Sequence, residues 1–331
     1  MPITPSDIKW YKSLTVADAA ANGGRMSNVL SPSGVKNNIL PDVTLAERNA
    51  GTTRYRKMFI KVENADNIAL GNARVFLQLN TPGEDSVTFF PGTQRDTQAA
   101  ITGNERLYGG GRLSESVEDG AVSIKVVTEG AALNCFRAGD TVRVTDKTSV
   151  SSAGNEEFVE IEAVAYAGDV ATLTLVAPGL TNAYLTNVTG VASVYQAGDV
   201  QPVLGERVVT SANGSLNPGS PVTGDHLATV EQNWTITFTS GTAFSIVGDT
   251  LGNVGSGNVG NGAAPINPAF PGRPYFSIPA AAFSGAFAAG DTITFSTSPA
   301  AVPIWYKQVV PAGAAAISGN RVILGVDGES A

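Results

Sequence analysis

Apolar and polar residues alternate over short stretches through most of the chain, with a period of two. Met58, Ile60 and Val62 share one face of an extended segment, Val75, Leu77 and Leu79 share one face of the next, and a third run spans residues 87–90. The same pattern predicts strands over 121–127, 141–145, 157–164 and 171–176, each bounded by Gly, Asp, Asn or Pro. The longest alternation sets Val230, Gln232, Trp234, Ile236 and Phe238 against Glu231, Asn233, Thr235, Thr237 and Thr239. Further strands are expected at 244–246, 275–278, 292–296, 303–309 and 321–326.

Turn chemistry punctuates these strands. FRAGDTVRV at 136–144 returns as FAAGDTITF at 287–295, with shorter echoes at 167–170, 197–200 and 248–250. Glycine accepts positive φ and the aspartate carboxylate bonds nearby amides, so each phrase predicts a turn, and in the two full copies the turn launches a strand. Gly255, Gly257 and Gly260 match G-x-G-x-x-G, but Pro265 and Pro268 follow where a nucleotide-binding helix would begin, so the segment is expected to be an Asn-rich loop.

The first 56 residues depart from the alternation. Thr4, Pro5 and Asp7 form a helix-start signal that predicts a short helix over 8–13. Beyond it, Pro32, Gly34 and Pro41 interrupt a stretch that still carries Leu14, Val16, Met26, Val29, Leu30, Val35, Ile39, Leu40 and Val43. An apolar segment without a period is expected to lie as an extended arm along a preformed surface, ordered by contacts between subunits. The expected architecture is therefore all-β. Residues 57–112 and 206–331 form a β-sandwich, Ig-like or jelly-roll-like; residues 113–205 form an inserted small β-barrel or sandwich; residues 1–56 form the N-terminal arm. The aperiodic stretch 90–113, with Gly109, Gly110 and Gly111, is expected to be a long loop of the kind that often carries function.

Composition removes several classes of function. Of the 331 residues 43% are hydrophobic and 15% charged, which excludes a disordered chain. The formal charge of −8 argues against a nucleic-acid groove. The one basic cluster, Arg54, Arg56 and Lys57 around Tyr55, is expected at a solvated strand entry with its charges split between two faces. No apolar run reaches the length of a membrane span, and the N-terminus lacks the pattern of an export signal. The sequons at Asn187, Asn213 and Asn233 matter only for a secreted eukaryotic chain.

Catalytic and metal chemistry finds few candidates. Cys135 is the one cysteine, which excludes an internal disulfide or thiolate zinc cage, and its apolar setting over 131–136 predicts a small buried side chain. His226 is the one histidine and lies in a predicted turn. Adjacent Glu156 and Glu157 point to opposite faces of a strand, so they make no paired-carboxylate site. The expectation is no enzyme, no cofactor, no metal and no catalytic residue. A carbohydrate-binding module is a competing expectation, with Trp234, Trp305, Tyr306 or Tyr275 stacking on sugar. A glycan hydrolase would need two facing carboxylates, which no segment nominates.

The runs FPGTQRDTQ at 90–98, GNEEFVEI at 154–161 and IWYKQVVPAGAAAISGNRVIL at 304–324 resemble segments of virion structural proteins of tailed bacteriophages and Mu-like prophages. The phrases GAVSIKV, FRAGDTVRV, GNEEFVEI and ATLTLVAPGLTNAY over 120–184 are similar to a small β module of phage tail and baseplate proteins. The resemblance implies a virion subunit assembled in the host bacterial cytoplasm. Tail association in tube, baseplate or fibre attachment is expected first, and head decoration or a minor capsid role second. Its partners would be copies of itself, other virion proteins and, as an alternative, a host-surface glycan. The resemblance rests on turn-and-strand phrases and assigns no functional residue.

Overall fold

The computed structural model describes residues 2–128, 134–149 and 152–330. In chain order the body begins with β1 (Ile8–Thr15), β2 (Gly23–Leu30), β3 (Thr52–Val62), β4 (Leu70–Leu79) and β5 (Ser86–Pro91), with a helix α1 (Leu45–Ala50) before β3. A second unit follows: β6 (Gly110–Leu113), β7 (Ser123–Thr128), β8 (Thr141–Thr145), β9 (Glu156–Ala167), β10 (Val170–Leu175) and β11 (Gly190–Ser193). The chain returns to the body as β12 (Tyr195–Val200) and leaves again for a third unit. That unit contains β13 (Val203–Leu204), β14 (Val208–Thr210), β15 (Asn213–Leu216), β16 (Thr223–Gly224), β17 (Gln232–Phe238), β18 (Ala243–Gly248), β19 (Gly252–Asn258), β20 (Phe276–Ser277), β21 (Phe283–Ala286) and β22 (Thr292–Ser298). It comes back as β23 (Ala301–Val310) and β24 (Ile323–Ser330).

The body is two sheets, β2-β1-β3-β23-β5 and β12-β4-β24, whose facing side chains share one core. Met58, Ile60 and Val62 on β3 meet Val75 and Leu77 on β4 and Ile304 on β23 there. The second unit closes as a six-stranded barrel, β10-β7-β6-β11-β8-β9, around Val126, Val142, Ile161, Leu173 and Tyr184. Gly111 lets β6 approach β7, because a Cβ at that position would stand 2.1 Å from the Val127 carbonyl oxygen. The third unit packs Trp234, Ile236, Phe238, Phe276 and Ile293 into its own core. Its main sheet pairs only with strands of residues 203–298, whereas residues 301–330 pair with β3, β4 and β5.

The repeated phrase is one turn used twice. Gly139 and Gly290 hold φ of 82° and 94°. The Asp140 carboxylate accepts from Arg137 N at 2.7 Å, and that of Asp291 accepts from Ala288 N at 2.8 Å. The carboxylate thus reaches back three residues instead of forward, closing the turn before β8 and β22 begin. The echo at 197–200 is not a turn: Gly198 lies within β12, at an irregular register against β4.

Several expectations are corrected. Residues 8–13 are strand, not helix, because the helix-start signal is spent on a single 3-10 turn, Pro5–Asp7, with Asp7 accepting from Thr4 N at 2.8 Å. Ile8 and Trp10 then alternate with Lys9 and Tyr11 and pair with β3. Residues 23–30 form β2, so much of the presumed aperiodic arm is a hairpin on the sheet edge. The helix α1 follows a capping box in which Thr44 N and Oγ1 donate to Glu47 at 2.8 and 2.7 Å. The glycine-rich segment holding Gly255 and Gly257 is the edge strand β19, not a loop, with Gly260 in the turn beyond it.

Candidate functional site

Each residue singled out from sequence has a defined place. Cys135 is fully buried in the barrel core, and burial pushes its thiol up to about 12, so it stays protonated and inert; its neighbours Ala131, Ala132 and Leu133 lie outside the described residues. His226 is buried where the third unit meets the body, with its backbone N–H donating to Asn67 Oδ1 at 2.9 Å. The proposed sugar-stacking rings are all interior. Trp234, Trp305, Tyr306 and Tyr275 expose at most 6% of their surface. Trp234 Nε1 donates to Thr297 Oγ1 at 2.8 Å and Trp305 Nε1 to Asp96 Oδ2 at 2.7 Å, which is how a buried indole satisfies its N–H.

The basic cluster is also interior, against expectation. Arg54, Arg56 and Lys57 are buried, and each meets an acid from elsewhere: Glu47, Asp18 and Asp96. The reason is coverage, since the β1–β2 hairpin and the segment leading into α1 lie over the entry of β3. Lys57 is the most enclosed. Its Nζ stands 2.6 Å from Asp96 Oδ1 and donates to Gly24 O at 2.7 Å and Asp96 O at 3.0 Å, beside the rings of Phe59 and Trp305. Burial lowers the pKa of the ammonium and Asp96 opposes that shift. All three Lys57 N–H groups are met by protein oxygens, so this lysine ties the long 92–109 connection to the sheet. Gly23 is required beside it, because a Cβ there would lie 2.6 Å from the Trp305 ring.

Among the described residues, a cleft and a strand edge stand open to a ligand or partner. The first is a cleft of about 460 Å³ where the barrel meets β4 and β24, lined by Phe76, Lys147, Gly154, Asn155, Glu156, Phe158, Asn182, Val326 and Asp327. Phe76 reaches it because β4 alternates: Val75 and Leu77 enter the body core while Arg74, Phe76 and Gln78 face the barrel. Phe76 packs edge-on to Phe158 at 6.0 Å between centroids, with the guanidinium of Arg143 at 4.5 Å from the Phe76 ring and that of Arg74 at 4.8 Å from Phe158. Glu156 accepts from Arg143 Nε and, at 2.8 Å, from Lys147 Nζ. Burial raises its pKa, but these bonds outweigh burial and hold the carboxyl below its usual range. Glu157 points the other way, accepting from Thr181 N at 2.8 Å, so the two glutamates are split as expected.

The second feature is the outer edge of β2. The opposite edge of the same sheet, β5, is covered by a bridge from Phe89 to Tyr108. Among the described residues β2 is tied at its start, where Gly23 bridges Thr97, and carries no strand along Met26 to Leu30. Val29 and Leu30 there, Leu14 and Val16 at the end of β1, and Val35 beyond β2 are each about half exposed or more. Among the described residues no group of three or more His, Cys, Asp or Glu side chains is arranged to hold a metal, and no helix is long and apolar enough to cross a membrane. Neither a family model, nor a curated protein, nor a solved structure matches this chain.

Proposed function

We propose that the chain is a structural subunit of a tailed-bacteriophage virion, tail-associated in tube, baseplate or fibre attachment, that acts by self-assembly and by docking to other virion proteins. The observation that carries this is the uncovered β2 edge beside exposed Leu14, Val16, Val29 and Leu30. Beyond Arg25, which pairs with Asp249, this edge presents Met, Ser, Asn, Val and Leu at a bulged register against β1, and Val29 and Leu30 stay exposed. Addition of a strand from a neighbour supplies the missing main-chain bonds and covers the apolar side chains together. On this reading the two sheets of the body form a β-sandwich that serves as scaffold, and the segment after β2 is the arm that a neighbour completes. The chain would then reside in the virion after assembly in the host bacterial cytoplasm. A head decoration or minor capsid role uses the same edge.

Sedimentation of the full-length protein beside a Leu14→Ser, Val16→Thr, Val29→Thr, Leu30→Ser variant tests the reading. The unaltered chain is expected to form rings or polymers and the variant to remain monomeric with unchanged circular dichroism. A monomeric parent, or a variant that assembles equally well, defeats it. An antibody against the chain should label purified tailed particles.

A further inference from the structure

We propose that the cleft between the barrel and the body binds a neutral saccharide. Its volume lies within the range of small-molecule sites, and it sits at a junction between packed units, where such sites concentrate. Charge selects the ligand class. The cations at or behind the walls are all paired: Lys147 and Arg143 share Glu156, and Arg74 stands 3.8 Å from Asp327, while Asp146 and Glu157 face the amides of Asn155 and Asn182. With every cation paired and carboxylates at least as numerous, the site offers no attraction to an anion.

It offers unspent hydrogen-bonding capacity instead. The Asn155 side-chain amide makes no hydrogen bond within the described residues, Asn182 spends only its NH₂ group, and Lys147 Nζ has one partner. Donors and acceptors thus stand side by side, the combination that a hydroxyl satisfies because it both gives and accepts. Phe158 and Val326 supply the apolar wall against which the C–H face of a pyranose packs. Behind the same wall, Gln78 Oε1 and Arg143 Nη2 are buried without partners, so the seam carries polar groups that the protein alone leaves unsatisfied. The proposal is independent of the assembly reading, because the cleft uses no residue of the β2 edge.

Saturation-transfer NMR on the full-length protein tests it, with neutral oligosaccharides of glucose, galactose, mannose and N-acetylglucosamine as probes and inorganic phosphate as the charged control. At least one neutral saccharide is expected to receive saturation. Asn155→Ala and Asn182→Ala should each weaken that binding about tenfold, the loss of one hydrogen bond of about 1.4 kcal/mol, with the circular dichroism and the sedimentation profile unchanged. Absence of transfer to every saccharide, transfer that survives both substitutions, or a response to phosphate alone overturns the proposal.

Discussion

The barrel and the N-terminal hairpin are built from the same material and end in opposite states. The barrel turns every strand edge inward to a neighbour, so all six strands are paired on both sides and its apolar residues fill one core. The hairpin pairs β1 with β3, covers three buried cations, and leaves the outer edge of β2 and several apolar side chains facing outward. The first arrangement is finished by its own chain. The second is left open at its edge among the described residues. Closure is thus a local decision taken unit by unit, and the place where it is withheld is where partners are to be sought.

The largest expected effect falls where the hairpin covers charge. Asp96→Ala removes the carboxylate facing Lys57, whose side chain is wholly buried, and should cost about 3–5 kcal/mol because it strands a cation in the interior. Urea unfolding measures the loss, and hydrogen exchange should rise in β3 and β23. A shift as small as that of a surface change would mean that the hairpin opens freely. A cavity in the barrel gives the counterpart. Leu173→Ala should cost about 2–5 kcal/mol, with faster exchange confined to residues 110–193 if the barrel is a closed unit. Exchange that spreads into the body would erase the contrast.

Acid gives a smaller and graded effect at the junction of the body with the third unit. Burial holds the His226 imidazole below its ordinary value of 6.5, with Lys61 adding to the shift and Asp225 opposing it. The folded state therefore keeps His226 neutral where the unfolded chain takes a proton. The stabilisation is fully present above the unfolded value and is lost as pH falls through about 6.5 toward the lower folded value. His226→Gln should flatten the decline in urea midpoint between about pH 7.5 and 5; an equally steep decline would place the titration elsewhere. The smallest effect on stability belongs to Leu30→Ser, within about 0.5 kcal/mol, since the side chain is already half exposed. If the single change nonetheless reduces oligomer formation, the edge is separated from the fold.

How much was legible follows the same division. Strands such as β17 and β22 were plain because one face enters a core and the other does not, which writes a period of two into the chain. The hairpin was not plain. In β1 the alternation of Ile8 and Trp10 is followed by a bulged register, and in β2 no residue after Gly23 is buried, so burial left no pattern. The fate of Arg54, Arg56 and Lys57 depended on Glu47, Asp18 and Asp96, two of them nearly forty residues away, and local composition carries no record of such pairings. Trp305 and Tyr306 occupy opposite faces of β23, and both faces are covered, one by the body core and one by the 92–96 loop. The cleft draws on five separate stretches of chain and exists only once the barrel is seated; its one local trace was the opposite pointing of Glu156 and Glu157.

The points of departure and return of the two outer units coincide. Gly110 at the start of the barrel pairs with Ala192 at its end, and Val203 at the start of the third unit pairs with Ser298 at its end. Paired residues of antiparallel strands stand about 5 Å apart, so each unit plugs into the body like a cassette in a socket. Joining the socket's lips needs only a tight turn, and little closure entropy is at stake. Genetic exchange could therefore drop, replace or duplicate either cassette in a single splice while the body kept its strand order. Related chains with the same body and different or missing cassettes are the form in which that history would be written.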